Sequence, residues 1–199
     1  RRHTEGATGR PVRMTPSGVG GAGGPVASAG VWGGGVETML AGVAVVAVVC
    51  LLLGLLLRRR LPAVSAWAIA GFVGAVACIG VLTLTPAYEV PTVIAAEDRP
   101  ETCSLDYGGP SPEGFWIVGG GQRLLNMLVF VPAGALLVVA CARWRAAYAL
   151  VPLGLLGLVA YSVAIEWLQL ELARIDRACD VTDMVDNSLG AVVGVGLGL

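Results

Sequence analysis

Long apolar runs separated by short polar interruptions dominate the chain, and the run lengths predict its elements. A hydrocarbon core about 30 Å thick needs roughly 20 apolar residues in a helix. Residues Val36–Leu57 meet that length and are followed at once by Arg58, Arg59 and Arg60. Residues 63–85, 124–142 and 146–170 predict three further spans, the last with Glu166 and Gln169 near its end. A fifth begins near Asp183 and is still running at Leu199. Its clean apolar part, from Ser188, rises only about 18 Å at about 1.5 Å per residue, so the sequence is expected to stop inside a helix. Residues 1–35 are rich in Gly, Ala, Ser and Pro without apolar periodicity, and read as a disordered tail. The expected class is an all-α membrane protein: a flexible tail, then a helical domain over 36–199 of about five transmembrane helices, the last one truncated. The chain does not begin with methionine, and Met14 follows an Arg-rich stretch. An upstream coding error or a cloned fragment is therefore expected, which an intact mass of native protein starting before Met14 would exclude.

Composition agrees and removes several chemistries. Of 199 residues, 56% are hydrophobic and 14% charged, against about 25% charged in an average soluble domain. A net charge of −1 without a basic patch gives no reason to expect a nucleic-acid partner. All 13 basic residues are arginine, which excludes lysine Schiff bases and a Walker lysine. The single histidine, His3, lies in the tail. Ser-His-Asp triads, histidine metal sites and HExxH helices are thereby closed. Any catalysis must use carboxylates, arginine, amides, hydroxyls or a thiol.

Arginine placement predicts the orientation. Arg58, Arg59, Arg60, Arg143 and Arg145 mark the cytoplasmic side. The 86–121 loop carries Glu89, Glu97, Asp98, Glu101, Asp106 and Glu113 against Arg99 alone, so it is expected outside, with the segment between Glu171 and Thr182. Arg1, Arg2, Arg10 and Arg13 would then also lie outside, but short loops beside span ends set topology more strongly than a distant tail. The first span is read as an uncleaved helix: its charges follow the apolar run, and the run exceeds a signal-peptide core. Cys50, Cys78 and Cys141 fall within spans, as packing residues. Cys103 and Cys179 share the outer face, where oxidation is permitted, and a disulfide between them is expected over two unrelated thiols.

Three patterns carry candidate chemistry. After Arg123, the third span contains Asn126, Phe130, Pro132 and Gly134. An asparagine at membrane depth is expected to face protein, either to bond a neighbouring helix or to serve a site. The fourth span places Ser162, Glu166 and Gln169 on one helical face. Glu166 is a functional candidate as an intramembrane acid, with a structural ion pair to Arg174 or Arg177 the equal alternative. The third pattern runs Arg177, Asp180, Asp183, Asn187, Gly190, Gly194 in steps of three and four. Glycines at 190, 194 and 198 allow close helix approach. The stripe is expected to aim Asp180, Asp183 and Asn187 at the same partner helix, with Asp176 and Asp186 off it and solvated. Helix-start capping would account for one or two of the acids, but not for an Arg, two Asp and an Asn in register with a glycine seam.

These three patterns, in this order on successive spans, resemble the VanZ-like family of small bacterial membrane proteins. The resemblance is carried by Asn126, Pro132 and Gly134, then Ser162, Glu166 and Gln169, then Arg177, Asp180, Asp183, Asn187 and Gly190. By architecture the VanZ-like part extends over about 63–199. The long acidic loop with Cys103 and the Gly-rich tail depart from the compact family pattern. The resemblance implies a bacterial plasma-membrane location and, through the family's founding member, an association with teicoplanin-type glycopeptide resistance. Two function classes follow. The first is a non-enzymatic envelope protein binding or altering a lipid-linked cell-wall component at the outer leaflet. Asn126, Gln169, Arg177 and Asn187 would be its ligand contacts, with Arg177 bidentate on phosphate or carboxylate. The alternative is a membrane-embedded enzyme on a lipid-linked phosphate, using Glu166, Asp180 and Asp183 with a divalent cation such as Mg²⁺ or as metal-free acid and base. Transport is the weaker class, because these groups lie towards one surface and not at the midplane. Homo-oligomerisation stays open.

Overall fold

The computed structural model describes residues 34–86, 102–107, 121–171 and 179–199. The tail, most of the 86–121 loop and residues 172–178 lie outside the described residues, and with them Arg174, Asp176 and Arg177. Five helices form: α1 (Val36–Leu57), α2 (Ala63–Leu84), α3 (Gln122–Cys141), α4 (Ala147–Glu171) and α5 (Val181–Gly198). No strand occurs among the described residues; one isolated parallel bridge joins Ser104 to Asp180.

Local chemistry sets the helix ends. The arginine turn closes α1, with Arg58 N–H donating to Gly54 at 3.0 Å. Pro62 caps α2 in an extended conformation, where its missing N–H falls outside the helical ladder. Gly121 opens α3 at φ 87°, a left-handed conformation that glycine adopts without a Cβ penalty. Asp180 opens α5, its carboxylate accepting from Thr182 N–H at 2.8 Å. Pro132 and Pro152 sit inside α3 and α4, as transmembrane helices tolerate when neighbours satisfy the freed backbone groups.

α1 to α4 are long and apolar enough to cross a membrane. α5, with Asp183, Asp186 and Asn187 in its first two turns, does not meet that test among the described residues. α1 is apolar on every side and packs chiefly on α2, so Val45, Val48, Leu52 and Leu55 are exposed, as lipid-facing side chains are. The tightest helix pair is α3 with α5, and α4 covers both. Ile79, Phe130, Ala133, Leu137, Leu158, Ile165 and Ala191 form the apolar core between α2, α3, α4 and α5.

Side-chain matches fix the directions. Gly42 meets Val81 while Gly54 meets Trp67, so α1 and α2 are antiparallel. Gly190 meets Met127, Gly194 meets Val131 and Gly198 meets Ala135, so α3 and α5 are parallel at a constant offset. One end of the bundle therefore holds the arginine turns at 58–60 and 143–145. The other holds Gly35 hydrogen-bonded to Pro86, the 102–107 segment, and the starts of α3 and α5. This second end is called the loop end below.

Candidate functional site

The site grows out of the α3–α5 seam. A Cβ at Gly190 or Gly194 would run into the backbone carbonyl of Met127 or Val131, and one at Gly134 into that of Ala191. The two backbones are in direct contact, which only a small-residue face permits. Continuing the same register one turn towards the loop end brings Arg123 opposite Asp186. The guanidinium Nε and Nη2 donate to the two carboxylate oxygens at 2.7 Å each. Asp186 is 0% exposed and Arg123 is buried beside it. This corrects the expectation that Asp186 is solvated: the packed face continues from Gly190 by a step of four to residue 186, not only by a step of three to Asn187. Such a fork-on-fork pair is the strong, directional form of ion pairing, and burial keeps it from being screened.

A strap of chain closes over this pair. Cys103 and Cys179 are disulfide-bonded, with Cα atoms 4.6 Å apart. Ser104 N–H donates to Cys179 O at 2.9 Å, and Val181 N–H returns a bond to Ser104 O at 3.0 Å. Thr182 Oγ1 donates to Asp106 O at 3.3 Å. Tyr107 then reaches Arg123: its hydroxyl accepts from Nη2 at 2.9 Å, and its ring centroid lies 5.0 Å from the guanidinium carbon. Disulfide, bridge and tyrosine thus hold residues 103–107 across the start of α5.

The α4 face lies alongside. Ser162, Glu166 and Gln169 are all buried, Glu166 at 2% exposure. Ser162 Oγ accepts from Asn187 Nδ2 at 3.0 Å, tying α4 to α5. Glu166 Oε2 accepts from the backbone N–H of Asp180 at 3.2 Å, fixing the point where the strap enters α5. Gln169 Nε2 donates to Thr83 O at 2.9 Å, tying α4 to the end of α2. Asp183 receives Gln122 Nε2 at 3.5 Å near the surface. Asn126 differs from all of these: its Nδ2 is buried and has no hydrogen-bond partner among the described residues.

Of the residues singled out from sequence, the loop end therefore gathers Asn126, Ser162, Glu166, Gln169, Asp180, Asp183 and Asn187. Arg177 lies outside the described residues. Glu166 and Asp180 each direct a carboxylate oxygen at a backbone N–H. Among the described residues no three His, Cys, Asp or Glu side chains come together as a metal-binding group. Sequence reasoning missed Arg123, Asp186 and Tyr107. The signal for Asp186 was present, since steps of four from Gly198 through Gly194 and Gly190 arrive at it. The partner on α3 carried no such signal, because a helix–helix offset is not written in one helix.

The comparisons with known proteins fit this arrangement. No curated protein and no solved structure matches the chain significantly. The VanZ/LLP1 family model matches residues 44–199, which take in most of α1, all of α2 to α5 and the strap. With a match across that much of its length, the chain belongs to the VanZ/LLP1 family.

Proposed function

We propose that the protein works in the bacterial plasma membrane with its loop end outward. There it binds, or alters the presentation of, a lipid-linked cell-wall component, and so contributes to teicoplanin resistance. One observation carries this reading: Ser162, Glu166, Gln169 and Asn187 are buried together at one end of an otherwise apolar bundle. Polar and ionisable groups at membrane depth are costly, and they mark functional positions by default. The arginines of the 58–60 and 143–145 turns occupy the opposite end, which the positive-inside rule assigns to the cytoplasm. The disulfide supports the same orientation, since such bonds persist in oxidising compartments. In this reading Arg177, in the segment leading into α5, contacts the phosphate or carboxylate of the ligand. In this reading Glu166 and Asp180 each use a carboxylate oxygen on a backbone N–H to hold the start of α5 in place.

The test pairs Glu166→Gln, Asp183→Asn and Arg177→Ala with two readouts: thermal stability in detergent and teicoplanin susceptibility of the producing cell. Resistance lost at unchanged stability, most strongly for Arg177→Ala, is the expected result. Resistance abolished by Asp183→Asn alone would point to catalysis instead. Stability falling in step with resistance in all three would reduce the cluster to an internal polar lock and overturn the proposal.

A further inference from the structure

We propose that the arginine end of the bundle binds anionic phospholipid. The headgroup phosphate is held among Arg58, Arg59, Arg60, Arg143 and Arg145, and the acyl chains lie along the exposed apolar residues beside them. This surface is at the opposite end from the polar cluster and shares no residue with it.

Its basis is a set of exposed charges without counter-charges. All five arginines are exposed, and none makes an ion pair among the described residues. Arginine stays protonated in proteins, so the positive charges are permanent. The acids of the described residues all belong to the loop end. Glu37 is at the start of α1, Asp106 in the strap, Glu166 and Glu171 near the end of α4, and the aspartates at the start of α5. Gly198, at the end of α5, meets Ala135 and so stops about 12 Å of helix rise short of Arg143.

The two arginine turns converge on the start of α2. Gly71 of α2 meets Leu136 of α3, and the two helices run in opposite directions. An equal number of residues further towards the arginine end lie Val64 and Arg143, so the 143–145 turn is level with that start. Arg58, Arg59 and Arg60 reach it through only Leu61 and Pro62. The start of α2 has no side-chain cap and no acid in its first turn, so nothing there offsets the arginines. Apolar surface lies directly beside the charges. Leu55 and Leu56 of α1 and Val64 of α2 are exposed, as is Tyr148 at 90%. Trp67 lies against Gly54, and the Trp144 ring centroid is 5.9 Å from the Arg143 guanidinium carbon. Tryptophan and tyrosine at this level mark the headgroup boundary, and basic clusters beside membrane helices attract anionic lipid. Free phosphate or an acidic protein would use the charges and leave the apolar residues bare, whereas a phospholipid engages both.

The probes are dioctanoyl phosphatidylglycerol, dioctanoyl phosphatidylcholine, which has the same chains and no net charge, and glycerol phosphate, which has the anion without chains. Each is titrated against the full chain in non-ionic detergent, and the concentration giving half-maximal thermal stabilisation is read. Wild type should need less phosphatidylglycerol than phosphatidylcholine, by roughly five-fold for each arginine engaged. Arg143→Gln with Arg145→Gln should raise the phosphatidylglycerol value by at least roughly five-fold and leave phosphatidylcholine unchanged, and the same replacement at Arg58, Arg59 and Arg60 should do likewise. Should either glutamine set impair folding, lysine at the same positions and a salt titration decide. The preference must persist with lysine and shrink as salt screens it. Equal values for the two lipids in wild type would overturn the proposal, as would a preference that survives both glutamine sets. Stabilisation by glycerol phosphate as effective as by phosphatidylglycerol would assign the arginines to a free anion and refute the lipid. The resistance measurements on Arg177 and Glu166 use neither these residues nor these probes, so the two proposals fail separately.

Discussion

Breaking the Arg123–Asp186 pair gives the sharpest energetic test of how the bundle is held together. In Asp186→Leu the guanidinium of Arg123 loses both 2.7 Å bonds and keeps its contacts with Tyr107. Hydrogen bonds to charged groups contribute about 1.5–3 kcal/mol each, and removing one partner of a buried pair costs about 3–5 kcal/mol. The full bidentate geometry and the complete burial of Asp186 put this pair in the upper half of that range, about 4 kcal/mol. The double variant Arg123→Met with Asp186→Leu removes the guanidinium as well. It should recover about 2–3 kcal/mol, because coupled neighbours are non-additive by that much. Reversible unfolding in mixed micelles, with the two single variants and the double variant as a thermodynamic cycle, measures both numbers. Two results would refute the reasoning: single losses below about 1 kcal/mol, as for a surface pair, or losses that simply add in the double variant.

Further outcomes follow from other parts of the structure. Gly190→Ala and Gly194→Ala each force a methyl into the α3 backbone and should lower stability by about 1–3 kcal/mol in thermal melts. Gly157→Ala, with nothing within 4 Å of the new methyl, should be neutral or stabilise by up to about 1 kcal/mol. Cys103→Ser, or reduction of the bond to Cys179, should cost about 2–4 kcal/mol, because 76 residues separate the two cysteines; Cys141→Ala, at a free thiol, should change little. Asn126→Leu should gain about 1 kcal/mol in thermal melts by removing a buried donor that has no partner among the described residues.

Sequence carried much of this architecture because membrane spans are written in one dimension. Val36–Leu57 has the same limits in both readings, and α2 ends one residue earlier, at Leu84. α3 begins at Gln122 instead of 124, since an amphipathic first turn is helical without being apolar. Ser162, Glu166 and Gln169 share a buried face because steps of four and three are a property of one helix. The hidden part lies between helices. Asp186 read as solvated because the polar stripe was followed from Gly190 by a step of three to Asn187. In fact both positions are buried: Asn187 against α4 and Asp186 against α3. A helix start flanked by two neighbours has a packed face wider than one stripe. Arg123 read as the opening of a span because nothing local distinguishes an arginine at a membrane boundary from one awaiting a partner 63 residues away.

The parallel α3–α5 seam also bears on how the protein is made. α5 follows α3 and α4 in the chain and is the one described helix not apolar enough to qualify as a span by itself. Ionisable side chains within a membrane helix are costly, and α5 brings Asp183 and Asp186 in its first two turns. α3 is already placed with Arg123 at the matching level and a backbone groove fitted to Gly190 and Gly194. Insertion of α5 would then be a docking event on the helices before it, in which Arg123 meets Asp186. A chain lacking that arginine should leave α5 outside the membrane, where a reporter fused after Leu199 would show it on the wrong side.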